Sequence, residues 1–163
     1  MHRLPDHDVT LEPLTAAHAD AVLAFEIENR AYFAASIVDR GDGYFEEFAA
    51  RHAALLAEQE AGICRFHVLV DDAGAVVGRV NLVDLENGTA ELGYRIAEKA
   101  AGKGLATAAV RALARLAASE YGLTTLWAGT SATNVASQTV LTRAGFRRVG
   151  DDHQRYELRS ADS

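Results

Sequence analysis

One stretch limits the possible folds more than any other: residues 89–107, T-A-E-L-G-Y-R-I-A-E-K-A-A-G-K-G-L-A-T. Residues 90–96 read as a strand, Gly102-Lys103-Gly104 as a glycine turn, and a helix starts near Leu105. A strand that empties into a glycine turn and a helix N-terminus is an anion site. The first helical turn carries N–H groups with no intrahelical partner and the positive end of the helix dipole. Glycine adopts φ > 0 and lets the backbone approach a phosphate closely. The stretch therefore predicts a pyrophosphate-binding loop.

What precedes the loop predicts the sheet. Residues 65–70 read as a strand, Asp71-Asp72-Ala73-Gly74 as a hairpin turn, and residues 76–85 as the next strand. Asn87-Gly88 is a strong two-residue hairpin signal leading into the strand at 90–96. Three consecutive strands thus form an antiparallel meander. After the loop a helix runs over residues 105–121, with Val110, Leu113, Leu116 and Ala117 as its apolar stripe and Gly122 as its stop. The strand at 125–130 arrives by a helical crossover and is expected parallel to 90–96. A short helix over 134–144 is stopped by Gly145, residues 146–149 start another strand, and 153–158 close the fold. In the first half, residues 9–14 read as a strand with Thr15 as an N-cap. Helices are expected over 16–33 and 44–61, the second ending at Gly62. The pattern is α+β: one mixed, mostly antiparallel sheet with helices on both faces.

Composition narrows the function. The chain has 163 residues, 49% of them hydrophobic and 24% charged, which suits one globular domain over residues 1–163. A formal net charge of −7 argues against a nucleic-acid partner. The N-terminus, M-H-R-L-P-D-H-D, has no apolar segment of the signal-peptide kind. There is no run of about 18 apolar residues to span a membrane, and a soluble, cytoplasmic protein is expected. Cys64, the one cysteine, reads as a buried thiol rather than a nucleophile. The six histidines are scattered without ligand spacing, so no metal is expected. His67 alternates with apolar neighbours and reads as structural.

Phosphate motifs can be compared directly. A Walker loop requires Lys followed by Ser or Thr, whereas Lys103 is followed by Gly104. A dinucleotide fingerprint requires a third glycine, where Thr107 stands, and an acid on the next strand, where 125–130 has none. The string A-A-G-K-G-L-A-T-A-A-V, followed by N-V-A-S-Q-T-V-L-T-R-A-G-F-R-R-V-G, instead resembles the GNAT superfamily of acyl-CoA-dependent N-acetyltransferases. The family's loop pattern, Gln/Arg-x-x-Gly-x-Gly/Ala, falls on residues 101–106, with Ala101 in the place of Gln or Arg. That departure removes one side-chain contact from a cradle built mostly of backbone N–H groups. The first half, F-E-I-E-N-R-A-Y-F from Phe25, together with E-L-G-Y-R-I from Glu91, looks like the RimJ/RimL type, which includes enzymes acetylating the N-terminal α-amine of ribosomal proteins.

The resemblance implies acetyl-CoA as cosubstrate and a fold in which strands 90–96 and 125–130 splay apart around the thioester. It assigns backbone groups of Tyr94, Arg95 and Ile96 to the pantetheine arm. Gly102, Lys103, Gly104, Leu105, Ala106 and Thr107 fall to the pyrophosphate, and Asn134 to the pantetheine, although Asn is also a good N-cap. Ser137 stands one turn in from Asn134 and matches a serine proposed to protonate the departing thiolate in some RimL-type enzymes. No tyrosine lies in residues 134–145 to fill that role.

Basicity bears on the choice of acceptor. An α-amine has a pKa of about 7.7–8.0, so deprotonating it at neutral pH costs about 1–1.4 kcal/mol; a lysine at about 10.4 costs roughly 4.6. An α-amine acceptor therefore manages with a carboxylate acting through water. Glu91 is the first candidate, on the strand face it shares with Gly93 and Arg95; Glu26, Glu28 and Asp84 follow. Each is also the kind of carboxylate that sits solvated on a surface. The expected partner is an amine acceptor, by preference a protein N-terminus. The alternatives are a small amine (polyamine, amino acid or aminoglycoside) or an acyl-CoA-binding sensor without turnover. Oligomeric state is not legible.

Overall fold

The computed structural model describes residues 1–150 and 155–160. Its spine is an eight-stranded sheet in the order β1-β2-β3-β4-β5-β6-β8-β7. The strands are β1 (His2–Leu4), β2 (Val9–Pro13), β3 (Arg65–Asp71), β4 (Val76–Glu86), β5 (Thr89–Ile96), β6 (Thr125–Gly129), β7 (Arg147–Arg148) and β8 (Arg155–Arg159). Neighbours pair antiparallel except β5 and β6, which are parallel. The crossover between those two is α5 (Leu105–Ser119). The expected meander is β3-β4-β5, and Asn87 and Gly88 have φ of 52° and 77°, the pair of positive values that a tight hairpin between right-twisted strands requires. The closing strand was expected from His153, which lies outside the described residues; the described part begins at Arg155.

Alternation along the strands divides the core in two. Val80, Leu82, Leu92 and Ile96 face α5 and α6 (Val135–Arg143), where they pack with Val110, Leu113, Leu116 and Leu141. On the other face Phe66, Val68 and Val76 pack with Val22, Phe25, Phe33, Tyr44 and Phe48. These come from α1 (Ala19–Glu28), α2 (Arg30–Ala34), α3 (Asp42–Glu46) and α4 (Phe48–Glu60). His67 is buried on the α5 side, 2.6 Å from the Tyr121 hydroxyl, and burial pushes its pKa down to about 4. Cys64 is buried and burial raises its pKa, as an inert thiol requires. Among the described residues no helix is long and apolar enough to cross a membrane.

Two local expectations need correction, and one element is added. Residues 16–33 do not form one helix. Thr15 and His18 close a capping box over a single 3-10 turn, and the helix then breaks at Asn29. Asn29 turns its side chain on the backbone: Nδ2 donates to Phe25 O at 2.9 Å, and Oδ1 accepts from Glu98 N at 2.9 Å. An amide that offers the chain such bonds competes with helix continuation, and here it also ties α1 to the segment leading into the glycine loop. The helix expected over 44–61 breaks at Glu47; the break seats Tyr44 and Phe48 in the same core with their rings edge to face at 5.7 Å. The N-terminal residues, for which the sequence indicated no element, add strand β1, held by Arg3 on Asp72 at 2.7 Å.

Candidate active site

The sheet opens at a definite rung. β5 and β6 are paired from Thr89 with Thr125 to Glu91 with Trp127, and no further. Beyond that rung β5 continues to Ile96 on β4, and β6 continues on β8. The facing edges from Leu92 and from Ala128 onward therefore carry backbone donors and acceptors without a strand partner across the gap. A cleft of about 840 Å³ runs through this opening.

At one end the cleft is lined by Ala101, Gly102, Gly104, Leu105, Ala106 and Thr107. Gly102 and Gly104 have φ of 73° and 81°, conformations that a side chain would strain. Gly104 is the N-cap of α5 and supplies no side-chain cap. The first N–H groups of a 15-residue helix thus point at the cleft with the dipole behind them. Lys103 does not line the cleft; its ammonium donates to Lys99 O at 3.2 Å.

The middle of the cleft is lined by Tyr94, Ile96, Thr130, Asn134 and Ser137. Asn134 caps α6, its side chain accepting from Ser137 N at 3.1 Å. The Thr130 hydroxyl oxygen is buried with no hydrogen-bond partner, an arrangement that suits a polar ligand. The Tyr94 phenol lies near Ser137. Burial raises the phenol's pKa, and the nearby Ser137 hydroxyl offsets part of that. This proximity was not legible in the sequence, where Tyr94 stood only for its backbone. The alternation of β5 is the signal that aims its side chain at α6.

At the far end the walls are Tyr32, Phe33, Ala35, Ser36 and Ile37 from α2 and the segment after it, with Gly93 and Arg95 of β5. Glu91 sits at the last paired rung, on the sheet face of Gly93 and Arg95, just outside the lining. Its carboxyl pKa is raised, first by burial and then by Asp84, while Arg155 works the other way. Glu28 is exposed on α1. Glu26 is buried at 1% exposure, at the centre of a charge cluster. Its carboxylate accepts from Arg79 at 2.8 Å and from Arg40 at 3.0 and 3.2 Å, and lies 3.5 Å from Arg95. Arg79 and Arg95 stand directly opposite each other on β4 and β5, a like-charge pair that is unfavourable by itself. Glu26 between them relieves it. Arg79 and Arg40 escaped the sequence reading because only strand register and helix docking bring them together.

One open parallel rung beside a glycine loop, in an otherwise antiparallel sheet, sets unpaired strand edges next to a helix N-terminus, which defines a class of mixed α+β fold. The chain belongs to the GNAT acetyltransferases, whose domain model, "Acetyltransferase (GNAT) domain", matches residues 8–147. It is 29% identical over 150 residues to the probable N-acetyltransferase YjcK of Bacillus subtilis (strain 168), covering 87% of this chain and 82% of that one. In structure it is similar to the ribosomal-protein-S5-alanine acetyltransferase of Vibrio fischeri (TM-score 0.87, 19% identity, 95% and 94% of the two chains). It is also similar to the spermidine N-acetyltransferase of Vibrio cholerae in complex with CoA and spermine (TM-score 0.77, 17% identity, 94% and 96%). The chain is thus an acyl-CoA-dependent N-acetyltransferase with an amine as acceptor.

Proposed function

We propose that this acetyltransferase transfers the acetyl group of acetyl-CoA to the α-amine of a protein N-terminus, as enzymes of the RimJ/RimL type do. The observation that carries the reading is the modest basicity of the acceptor end. Its candidate base is Glu91, a half-buried carboxyl with a raised pKa. That strength matches an α-amine, which needs only about 1–1.4 kcal/mol to lose its proton at neutral pH. The likeness to an S5-alanine acetyltransferase points the same way.

In this reading acetyl-CoA supplies an activated acyl carbon. Gly102, Gly104 and the first turn of α5, with Leu105, Ala106 and Thr107, hold the pyrophosphate, and Lys103 adds charge nearby. The open edge of Tyr94, Arg95 and Ile96 holds the pantetheine amides, with Asn134 opposite. Glu91, through a water, takes the proton the amine loses as its nitrogen attacks the acyl carbon. The C–S bond then breaks and the leaving sulfur takes a proton from Ser137, beside which Tyr94 lines the same cleft. Because burial keeps the phenol protonated, Tyr94 can stand behind Ser137 as a second donor. The rest of the acceleration comes from holding amine and thioester in one cleft.

The test is a mass-spectrometric acceptor screen with acetyl-CoA. It uses short peptides with free or blocked N-termini, with and without lysine, plus polyamines and aminoglycosides. Acetylation confined to free α-amines supports the reading. Products on blocked lysine peptides or on small amines refute the α-amine preference. Acetyl-CoA binding without product on any amine would favour a sensor.

A further inference from the structure

The acceptor end is electrically lopsided. Glu26 is one carboxylate facing three guanidiniums, those of Arg40, Arg79 and Arg95. Arg40 and Arg79 take the close bonds to it. Arg95 is left with a single 3.5 Å approach to an oxygen already shared, and lies over the Phe33 ring at 5.0 Å. Among the described residues no other side chain pairs with the Arg95 guanidinium, and no aspartate or glutamate lines the cleft. Yet Arg95 does line it, 18% exposed. The cluster holds an excess of two positive charges and presents one unfilled planar fork to the cleft.

On the same face of β5, two residues toward the open rung, Gly93 leaves a gap: a Cβ there would meet nothing within 4 Å. Two residues further stands Glu91. The Cα atoms of Glu91 and Arg95 are about 13 Å apart at ~3.3 Å per strand residue. Both side chains stand on that face, a carboxylate at one end and a guanidinium at the other, with the open position at Gly93 between them. At the Glu91 end, Glu157 is already taken by Arg155 at 3.1 Å and Arg159 at 3.7 Å.

We infer that the acceptor bears a carboxylate within a few bonds of the amine it offers, the amine lying toward Glu91 and the carboxylate in the fork of Arg95 above Gly93. This rests on the acetyltransferase reading and deepens it: an N-terminus with an acidic first or second residue, or a free acidic amino acid, fits, and a polyamine does not. The two acidic sources share this chemistry and are separated by the test.

The experiment measures kcat/KM, and binding to the protein saturated with CoA, for matched peptides Asp-Ala-, Ala-Asp-, Ala-Ala- and Ala-Lys-, for free aspartate and for spermidine. Acidic peptides are expected to exceed the lysine peptide by about 10–100-fold, the range for a charge-assisted forked contact. Arg95→Gln should erase that ratio, Arg95→Lys should restore it only in part, and Gly93→Val should weaken acidic acceptors most. Preference for free aspartate over the peptides assigns the carboxylate to a small molecule. A wild-type preference for Ala-Lys- or spermidine overturns the inference, as does an acidic preference that survives Arg95→Gln. Wild-type selectivity needs no variant to fold. The binding arm separates the two claims: acidic preference in binding without turnover supports this inference while refuting the proposed activity.

Discussion

Replacing Glu26 with Gln tests the electrostatic keystone of the proposed acceptor side. The substitution preserves shape and removes one negative charge that is 1% exposed. It leaves Arg79, 5% exposed, buried opposite Arg95 with no counter-charge, while Arg40 at 29% and Arg95 at 18% partly recover solvent. Breaking a buried pair from one side costs about 3–5 kcal/mol, because the surviving charge stays desolvated. Unfolding temperature shifts by about 2–4 °C per kcal/mol in a chain of this size, so the variant should melt roughly 6–20 °C lower by calorimetry. Glu28→Gln, on the same helix but exposed, should stay within about 0.5 kcal/mol of the parent. Removing the stranded charge as well, in Glu26→Gln with Arg79→Met, should recover part of the loss, since well-packed apolar groups replace buried ion pairs without penalty in other proteins. A melting temperature for Glu26→Gln within about 2 °C of the parent would refute the reasoning, as would an equal loss in Glu28→Gln.

Four further outcomes are expected. Ala at Gly102 or Gly104 forces a side chain into φ of 73° or 81°, and each variant should lose about 1 kcal/mol of stability together with acetyl-CoA affinity, read by titration calorimetry. Glu91→Gln should lower kcat by about 100-fold with acetyl-CoA binding kept, and the Glu91 carboxyl, followed by NMR titration, should titrate higher than an exposed glutamate because burial raises its pKa. Tyr94→Phe should lower kcat mildly and Ser137→Ala more, and the double variant should lose less than the two effects summed, because the two hydroxyls act as a unit. His67 has a folded pKa of about 4 against 6.5 for the free side chain. The unfolded chain binds this proton first as pH falls, so stability is full above about 6.5 and is lost toward 4, by up to about 1.4 kcal/mol per pH unit. Denaturant titrations between those values should show the slope, and His67→Gln should flatten it.

The features legible in the sequence were the ones encoded locally. Asn87-Gly88 carries its own turn, the strands beside it carry their own alternation, and Gly102 and Gly104 mark a backbone conformation that other residues resist. The chain between them then leaves only a parallel return for β6. What escaped depends on several elements meeting. Nothing near Glu26 in the chain announces Arg40, Arg79 and Arg95: they converge only when α1 docks across the rung that joins β4 and β5. Asn29 looked like one more helical residue because its partner, Glu98 N, is 69 positions away. The nearness of Tyr94 to Ser137 needed both the facing of β5 and the placement of α6. Local chemistry thus marked the glycine-loop end of the cleft, and long-range pairing built the arginine end.

The division of the core has a consequence for how such a chain can change over time. The residues packed against α5 and α6 share almost no contacts with those packed against α1 to α4, because one layer of backbone separates them. Mutations that remodel one side are therefore largely invisible to the other. A lineage can rewrite the helical cap proposed to greet the acceptor, exchanging arginines for carboxylates or shortening the segment after α2, while the machinery on the opposite side goes on accepting the same thioester. Substrate range becomes a trait that can drift while the opposite side of the sheet stays fixed.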